Sequence, residues 1–187
     1  MRSMVSTGHL RSLPALACLV WLAAAPAQSP ASGEACDIEI VVFRRTDIAG
    51  STSERRNEPM RAAIDSTGNS WPELPLSSLQ LGGAAAELRR GGGYTLLYHG
   101  GWRQPLLSGE RVLPTALPQR LQESGLAGQI TVYRERYLYG RVALQDQEGG
   151  VLRQQRRLRA GDLHYFDSPT VGLLLTVGPA AAVSAEP

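Results

Sequence analysis

No lysine occurs anywhere in the 187-residue chain, so all 19 basic side chains are arginine. Every basic site therefore carries a planar guanidinium that can fork two N–H groups onto a carboxylate. The abundance of Ala, Gly and Leu gives this count a second origin, codon bias in a GC-rich genome, and that is the preferred explanation of the number. Cysteine is nearly absent too. Of the two cysteines, Cys18 lies in the N-terminal apolar run, which leaves Cys36 alone in the remainder and excludes an internal disulfide there. Histidine is just as scarce, with only His99 and His164 beyond the first turn of sequence. A long hydrophobic run is also missing. The longest, Leu13 to Ala25, covers ~20 Å as a helix at ~1.5 Å per residue, short of a ~30 Å hydrocarbon core. Val171 to Val177, the next candidate, is strand-sized, so no membrane span is expected. A strong charge of one sign is absent as well: without Arg2 and Arg11, the 19 basic and 17 acidic residues become 17 of each, which disfavours nucleic-acid binding.

What is present at the N-terminus is Arg2 and Arg11, the apolar run, and then the small-residue pattern Ala25-Pro26-Ala27. This is the layout of a cleaved secretory signal peptide over residues 1–27. Lipidation of Cys18 is the alternative, but the preceding Ala15-Leu16-Ala17 lacks a leucine three places upstream. Residues 28–35 are small and polar, as in a flexible leader, and 36–179 have the length of one domain. The tail 180–187 is expected to be disordered.

Asp37 to Phe43 alternates and then becomes continuously apolar, with Ile38, Ile40 and Val42 on one face and Val41 and Phe43 on the other. Such a strand is central in its sheet. Over 44–75 the periodicity gives way to Gly, Ser, Asn and Pro, a long loop insertion that Trp71 can pin to the body. Ala84 to Arg90 favours a helix, and Gly91-Gly92-Gly93 ends it. Tyr94 to His99 is a second strand, and the two strands are able to form a crossover unit around the helix. Ile130 to Leu144 reads as one long strand returning through Asp146 to Gly150 into a hairpin with Val151 to Arg159. Leu163 to Phe166 and Val171 to Val177 flank a turn at Asp167-Ser168-Pro169. The expectation is an α+β fold, mainly β, a single domain with a five- or six-stranded sheet and at least one packed helix.

Catalytic residues are expected to be none. Neither histidine lies in a nucleophile elbow or an HExxH setting, and His164 with Asp167 falls short of the three or four ligands of a metal site. The triple glycine follows a helix, whereas a phosphate-cradling loop follows a strand. No cofactor and no metal is expected. Paired carboxylates that converge in space are the one route to glycan cleavage left open. Asp167 itself reads as a turn residue that bonds the backbone, and Cys36 as a half-buried packing residue.

Aromatic and arginine residues gather at strand ends instead. Tyr94, Tyr98 and Trp102 share parity if the second strand runs on, and Arg103 follows directly. Tyr133, Tyr137 and Tyr139 share one face of the long strand, and Arg134 and Arg136 the other. Aromatic planes stack on sugars and arginine forks grip carboxylates. The candidate binding residues are Trp102, Arg103, His99, Tyr98, His164 and Tyr165, although each tyrosine taken alone better suits a place in the core or on a sheet surface.

Three segments, Ile38 to Arg45, Gly93 to Pro105 and Arg156 to Pro169, resemble in order the CsiV family of periplasmic peptidoglycan-binding proteins from Gram-negative bacteria. The elements Trp102-Arg103-Gln104-Pro105 and Leu163-His164-Tyr165-Phe166-Asp167 carry most of it. The chain departs from the family in having Ser168 where a histidine is expected before Pro169. The resemblance implies a periplasmic protein, without catalysis of its own, that binds peptidoglycan. It also implies a partner, an outer-membrane lipoprotein activator of a bifunctional penicillin-binding protein. A periplasmic wall hydrolase and a scaffold that contacts only protein are the two other readings.

Overall fold

The computed structural model describes residues 33–46, 67–108, 112–147 and 149–180. The expected signal peptide 1–27, most of the expected leader, most of the expected loop 44–75 and the tail beyond residue 180 lie outside the described residues. Eight strands form two four-stranded sheets. They are β1 (Ala35–Arg45), β2 (Tyr94–Pro105), β3 (Thr115–Ala116), β4 (Leu126–Arg134), β5 (Leu138–Asp146), β6 (Val151–Leu158), β7 (His164–Asp167) and β8 (Val171–Pro179). Two α-helices, α1 (Gly82–Arg90) and α2 (Gln119–Glu123), and a 3-10 turn at Leu76–Ser78 complete the described structure.

The first sheet has the order β2-β1-β8-β7 and the second β3-β4-β5-β6, every paired neighbour being antiparallel. The expected five- or six-stranded single sheet is therefore corrected to two sheets. Alternation along a strand reports which side chains face inward; it is silent on which strands share a sheet. The inward side chains of both sheets, among them Ile38, Ile40, Val42, Leu173 and Leu175 from the first and Ile130, Val132, Val142, Leu144 and Leu152 from the second, meet in one buried cluster.

β1 is central, as its two apolar faces imply, lying between β2 and β8. The crossover between β1 and β2 is not formed, because the two are antiparallel neighbours with Ile38 opposite Trp102. The expected long strand from Ile130 is broken into β4 and β5, which fold back on each other through a tight turn in which the Glu135 N–H donates to Tyr137 O at 3.0 Å. Thr131, Val132 and Tyr133 hide this break, since β-formers run up to the turn. The β5–β6 and β7–β8 hairpins follow the sequence reading. β1 runs on to Arg45, so residues 44 and 45 belong to a strand rather than to the loop. At the other end, Gly33 N–H and Leu106 N–H exchange bonds with Leu106 O and Glu34 O, so the last leader residues are already laced to the fold.

A register shift between Val42 and Phe43 pairs Val42 with Tyr98 but Phe43 with Leu96, leaving Leu97 as the extra residue. Tyr94 thereby moves to the sheet face opposite Tyr98 and Trp102, against the shared parity expected for the three. On that opposite face Phe43 stacks on Tyr165, centroids 6.4 Å apart, and meets Tyr94 edge-on at 5.3 Å.

Candidate functional site: a tryptophan-walled cleft

Glu39 looks in sequence like an outward polar residue of an alternating strand, yet it is 4% exposed. Its carboxylate accepts the N–H groups of Gln80 (2.7 Å) and Leu81 (2.8 Å), which open α1, and Nε2 of His99 donates to it at 2.7 Å. An acid at a helix N-terminus satisfies orphan donors and complements the dipole. α1 has no side-chain cap of its own, so this carboxylate from β1 anchors it. On the same sheet face, Arg103 forks onto Asp37 through Nε (2.6 Å) and Nη2 (2.8 Å), and this hydrogen bond raises the guanidinium pKa further above its ordinary value.

The expected binding residues are therefore not gathered in one place. His99 and Arg103 face α1's side of the first sheet and are held by Glu39 and Asp37. Tyr165 projects from that face at the far edge strand, 38% exposed, and its hydroxyl accepts from Arg45 at 2.8 Å, which with Asp167 raises the Arg45 pKa. His164 accepts the Arg159 N–H at 3.0 Å, tying down the loop before β7. Trp102, expected to present an exposed plane beyond a strand end, is 3% exposed and belongs to the core. β2 continues through it to Pro105, so no strand end releases it. Tyr98 lies half-buried on the same face, packed against the core. Its phenol is pushed up to about 12 by burial and by Glu73, with Arg120 pulling the other way.

Trp102 nevertheless leads to a concavity at this edge of the first sheet. A strap of chain, residues 69–74, spans the edges of both sheets. Asn69 bridges Thr115 of β3, and Glu73 bridges Trp102 of β2. The Arg103 N–H donates to Pro72 O and the Leu74 N–H to Gly101 O, each at 2.9 Å. Between the strap, β2 and the start of α2 lies a cleft of about 380 Å³ lined by Trp71, Glu73, Trp102, Thr115, Gln119 and Gln122 among others. Its volume is that of a small-ligand site.

A relay of hydrogen bonds stiffens this cleft. Trp71 Nε1 donates to Thr115 Oγ1 at 3.1 Å, and Thr115 Oγ1 donates to Gln104 Oε1 at 3.1 Å. The same Oε1 accepts Trp102 Nε1 at 2.8 Å, while Gln104 Nε2 donates to Val132 O at 3.2 Å on the facing sheet. Both indoles and both sheets are thus tied through one buried amide. Trp71, half-buried and packed against the core, lines the cleft beside the strap. Sequence reasoning identified it only as a pin for the loop. Gln119, Gln122 and Glu73 carried no signal, since their stretches have no periodicity and they meet only through the strap.

A family described as "Peptidoglycan-binding protein, CsiV" matches residues 58–180. The chain belongs to the CsiV family. The match takes in the strap, both walls of the cleft and every strand except β1, which precedes it. Neither curated proteins nor solved structures give a match. The family histidine expected before Pro169 is replaced by Ser168, which is 8% exposed and closes the β7–β8 turn: its Oγ accepts the Val171 N–H at 3.1 Å. That turn bond, expected from Asp167, comes from Ser168, and Asp167 pairs instead with Arg45 at 3.4 Å.

Among the described residues, no helix is long and apolar enough to cross a membrane, and no group of three or more His, Cys, Asp or Glu could hold a metal.

Proposed function

We propose that the protein is a non-catalytic, periplasmic peptidoglycan-binding accessory factor whose glycan-contacting site is the cleft beside Trp71. The family match over residues 58–180 is the observation that carries this reading. The cleft supports it chemically. An indole face stacks on the C–H face of a sugar ring, and Glu73, Gln119 and Gln122 offer the carboxylate and amides that hydroxyl and N-acetyl groups bond. Glu73 is the single carboxylate among the lining residues, whereas ordinary glycoside hydrolysis uses two. By family resemblance, the bound protein helps an outer-membrane lipoprotein activate a bifunctional penicillin-binding protein.

The purified domain, residues 28–187, is expected to sediment with sacculi and to release no soluble fragments. Soluble muropeptides in the supernatant would favour the hydrolase reading; absence from the pellet would favour a protein-only scaffold. Added to the lipoprotein and the penicillin-binding protein, the domain is expected to raise glycan polymerisation. No change in that rate would remove the partner from the proposal.

A further inference from the structure

Away from the cleft, the β4–β5 turn and the connection from β6 to β7 enclose a second groove of about 540 Å³. Its lining holds four arginines, Arg134, Arg136, Arg157 and Arg159, and one acid, Asp162. In a chain whose charges otherwise nearly balance, this is a concentrated basic site. Tyr137 sits among them, with the guanidinium carbon of Arg157 3.5 Å and that of Arg136 5.4 Å from its ring centroid. A guanidinium laid on an aromatic face is held in place while its edge N–H groups stay available to a carboxylate. Among the described residues, no ion pair involves Arg136, Arg157 or Arg159. Arg136, Arg157 and Arg159 repel one another, a cost that an anionic ligand reverses. The groove's other lining is small or apolar, from Leu138 and Leu158, each 3% exposed, to Ala160 and Gly161.

We infer that this groove binds the stem peptides of peptidoglycan, taking their carboxylates on the Arg136–Tyr137–Arg157 clamp and their alanine methyls on the Leu138–Ala160 floor. The inference rests on the wall-binding reading and adds a second, peptide-directed site to the glycan-directed cleft. The volume argues for a short ligand, and the mixture of fork donors with a small apolar floor matches a chain that alternates acidic and alanine residues. An extended polyanion would call for a basic surface without such a floor.

The test uses four probes: intact sacculi, glycan strands stripped of their peptides by amidase, the soluble disaccharide tetrapeptide, and poly-glutamate. Arg136→Glu/Arg157→Glu reverses two solvent-facing charges, and its fold is checked by circular dichroism and melting. It is expected to bind the disaccharide tetrapeptide at least tenfold more weakly than wild type while holding stripped glycan equally well. Arg157→Lys keeps the charge but loses the fork, and is expected to fall between. Added salt should weaken wild-type binding of the tetrapeptide and leave stripped glycan nearly unaffected. If wild type sediments with sacculi and the double variant binds tetrapeptide as tightly as wild type, the groove assignment is overturned while wall binding stands. Poly-glutamate bound as tightly as tetrapeptide would also overturn it, in favour of an acidic protein segment. Wild type that fails to sediment with sacculi removes the wall-binding reading itself.

Discussion

The indole N–H of Trp102 donates to the side-chain oxygen of Gln104, two residues further along β2 and on the same sheet face, at 2.8 Å. Trp102→Ala therefore opens a core cavity and removes one of two donors from a buried amide oxygen. A loss of about 3–5 kcal/mol of stability is expected, seen as a steep drop in melting temperature. Trp71→Ala should behave differently, because that residue is half-buried where Trp102 is fully buried. It is expected to weaken sacculus binding by about 1–3 kcal/mol, by analogy with stacking on aromatic platforms, with a smaller change in melting. Unchanged sacculus binding by a folded Trp71→Ala would take the cleft out of the proposed function.

Glu39→Ala deprives the N–H groups of Gln80 and Leu81 of their partner at the start of α1 and strands His99. Each buried donor left unsatisfied costs about 1–3 kcal/mol. Hydrogen exchange at Gln80 and Leu81 should speed up far more than exchange in β5 or β6. Uniform acceleration across the chain would mean that the carboxylate holds the whole sheet rather than the helix entrance.

Burial, aided by the neighbouring Asp37, pushes the Cys36 thiol up from its ordinary 9.0 to about 12. The unfolded chain then loses this proton before the folded one does. Stability is whole below about pH 9 and declines by about 1.4 kcal/mol per pH unit above it, toward pH 12. Tyr98, raised from 10.0 to about 12, adds the same slope from pH 10 upward. Denaturant titrations of Cys36→Ala should stay flat between pH 9 and 10 where wild type falls; an equal fall in both refutes the thiol's part. The folded thiol should also resist aromatic disulfide reagents, and melts with and without reductant should superimpose.

Gly172 faces Phe43 across the β1–β8 pair, and a β-carbon there would strike the ring edge of Phe43. Gly172→Ala is expected to cost about 1–3 kcal/mol through overpacking. It should shift the tyrosine fluorescence of the Phe43, Tyr94 and Tyr165 cluster, and Phe43→Leu in the same chain should restore part of the stability. A silent Gly172→Ala would show that the ring moves aside without cost.

The sequence makes β1 legible as the central strand because Val41 and Phe43 continue the apolar pattern onto its second face. The β5–β6 and β7–β8 hairpins and the glycine stop of α1 are legible for similarly local reasons. The division into two sheets is not, since pairing partners lie far apart along the chain and alternation carries no address. Trp102 misleads because Gly100 and Gly101 resemble a strand's end, while β2 in fact runs through them to Pro105. The cleft escapes sequence reasoning altogether. Its wall Trp71 sits in an aperiodic stretch, and the bonds that hold its strap, to Pro114, Gly101 and Arg103, are made by backbone groups indifferent to side-chain identity. The resemblance to the CsiV family, by contrast, was carried by short ordered motifs, and residues 58–180 match that family.

β1 pairs along its length with β8, so Cys36 lies opposite Pro179 across nearly the whole described chain. Closing that ladder requires the first and last strands to find each other after everything between them has been made, and folding dominated by such distant pairings is slow. Until Val171 to Pro179 arrives, the apolar strand Ile38 to Phe43 has β2 on one side and an open row of N–H and C=O groups on the other. A chain cut short before Val171 therefore presents a ready template for strands of other molecules, and its expected fate is aggregation rather than a smaller stable fold.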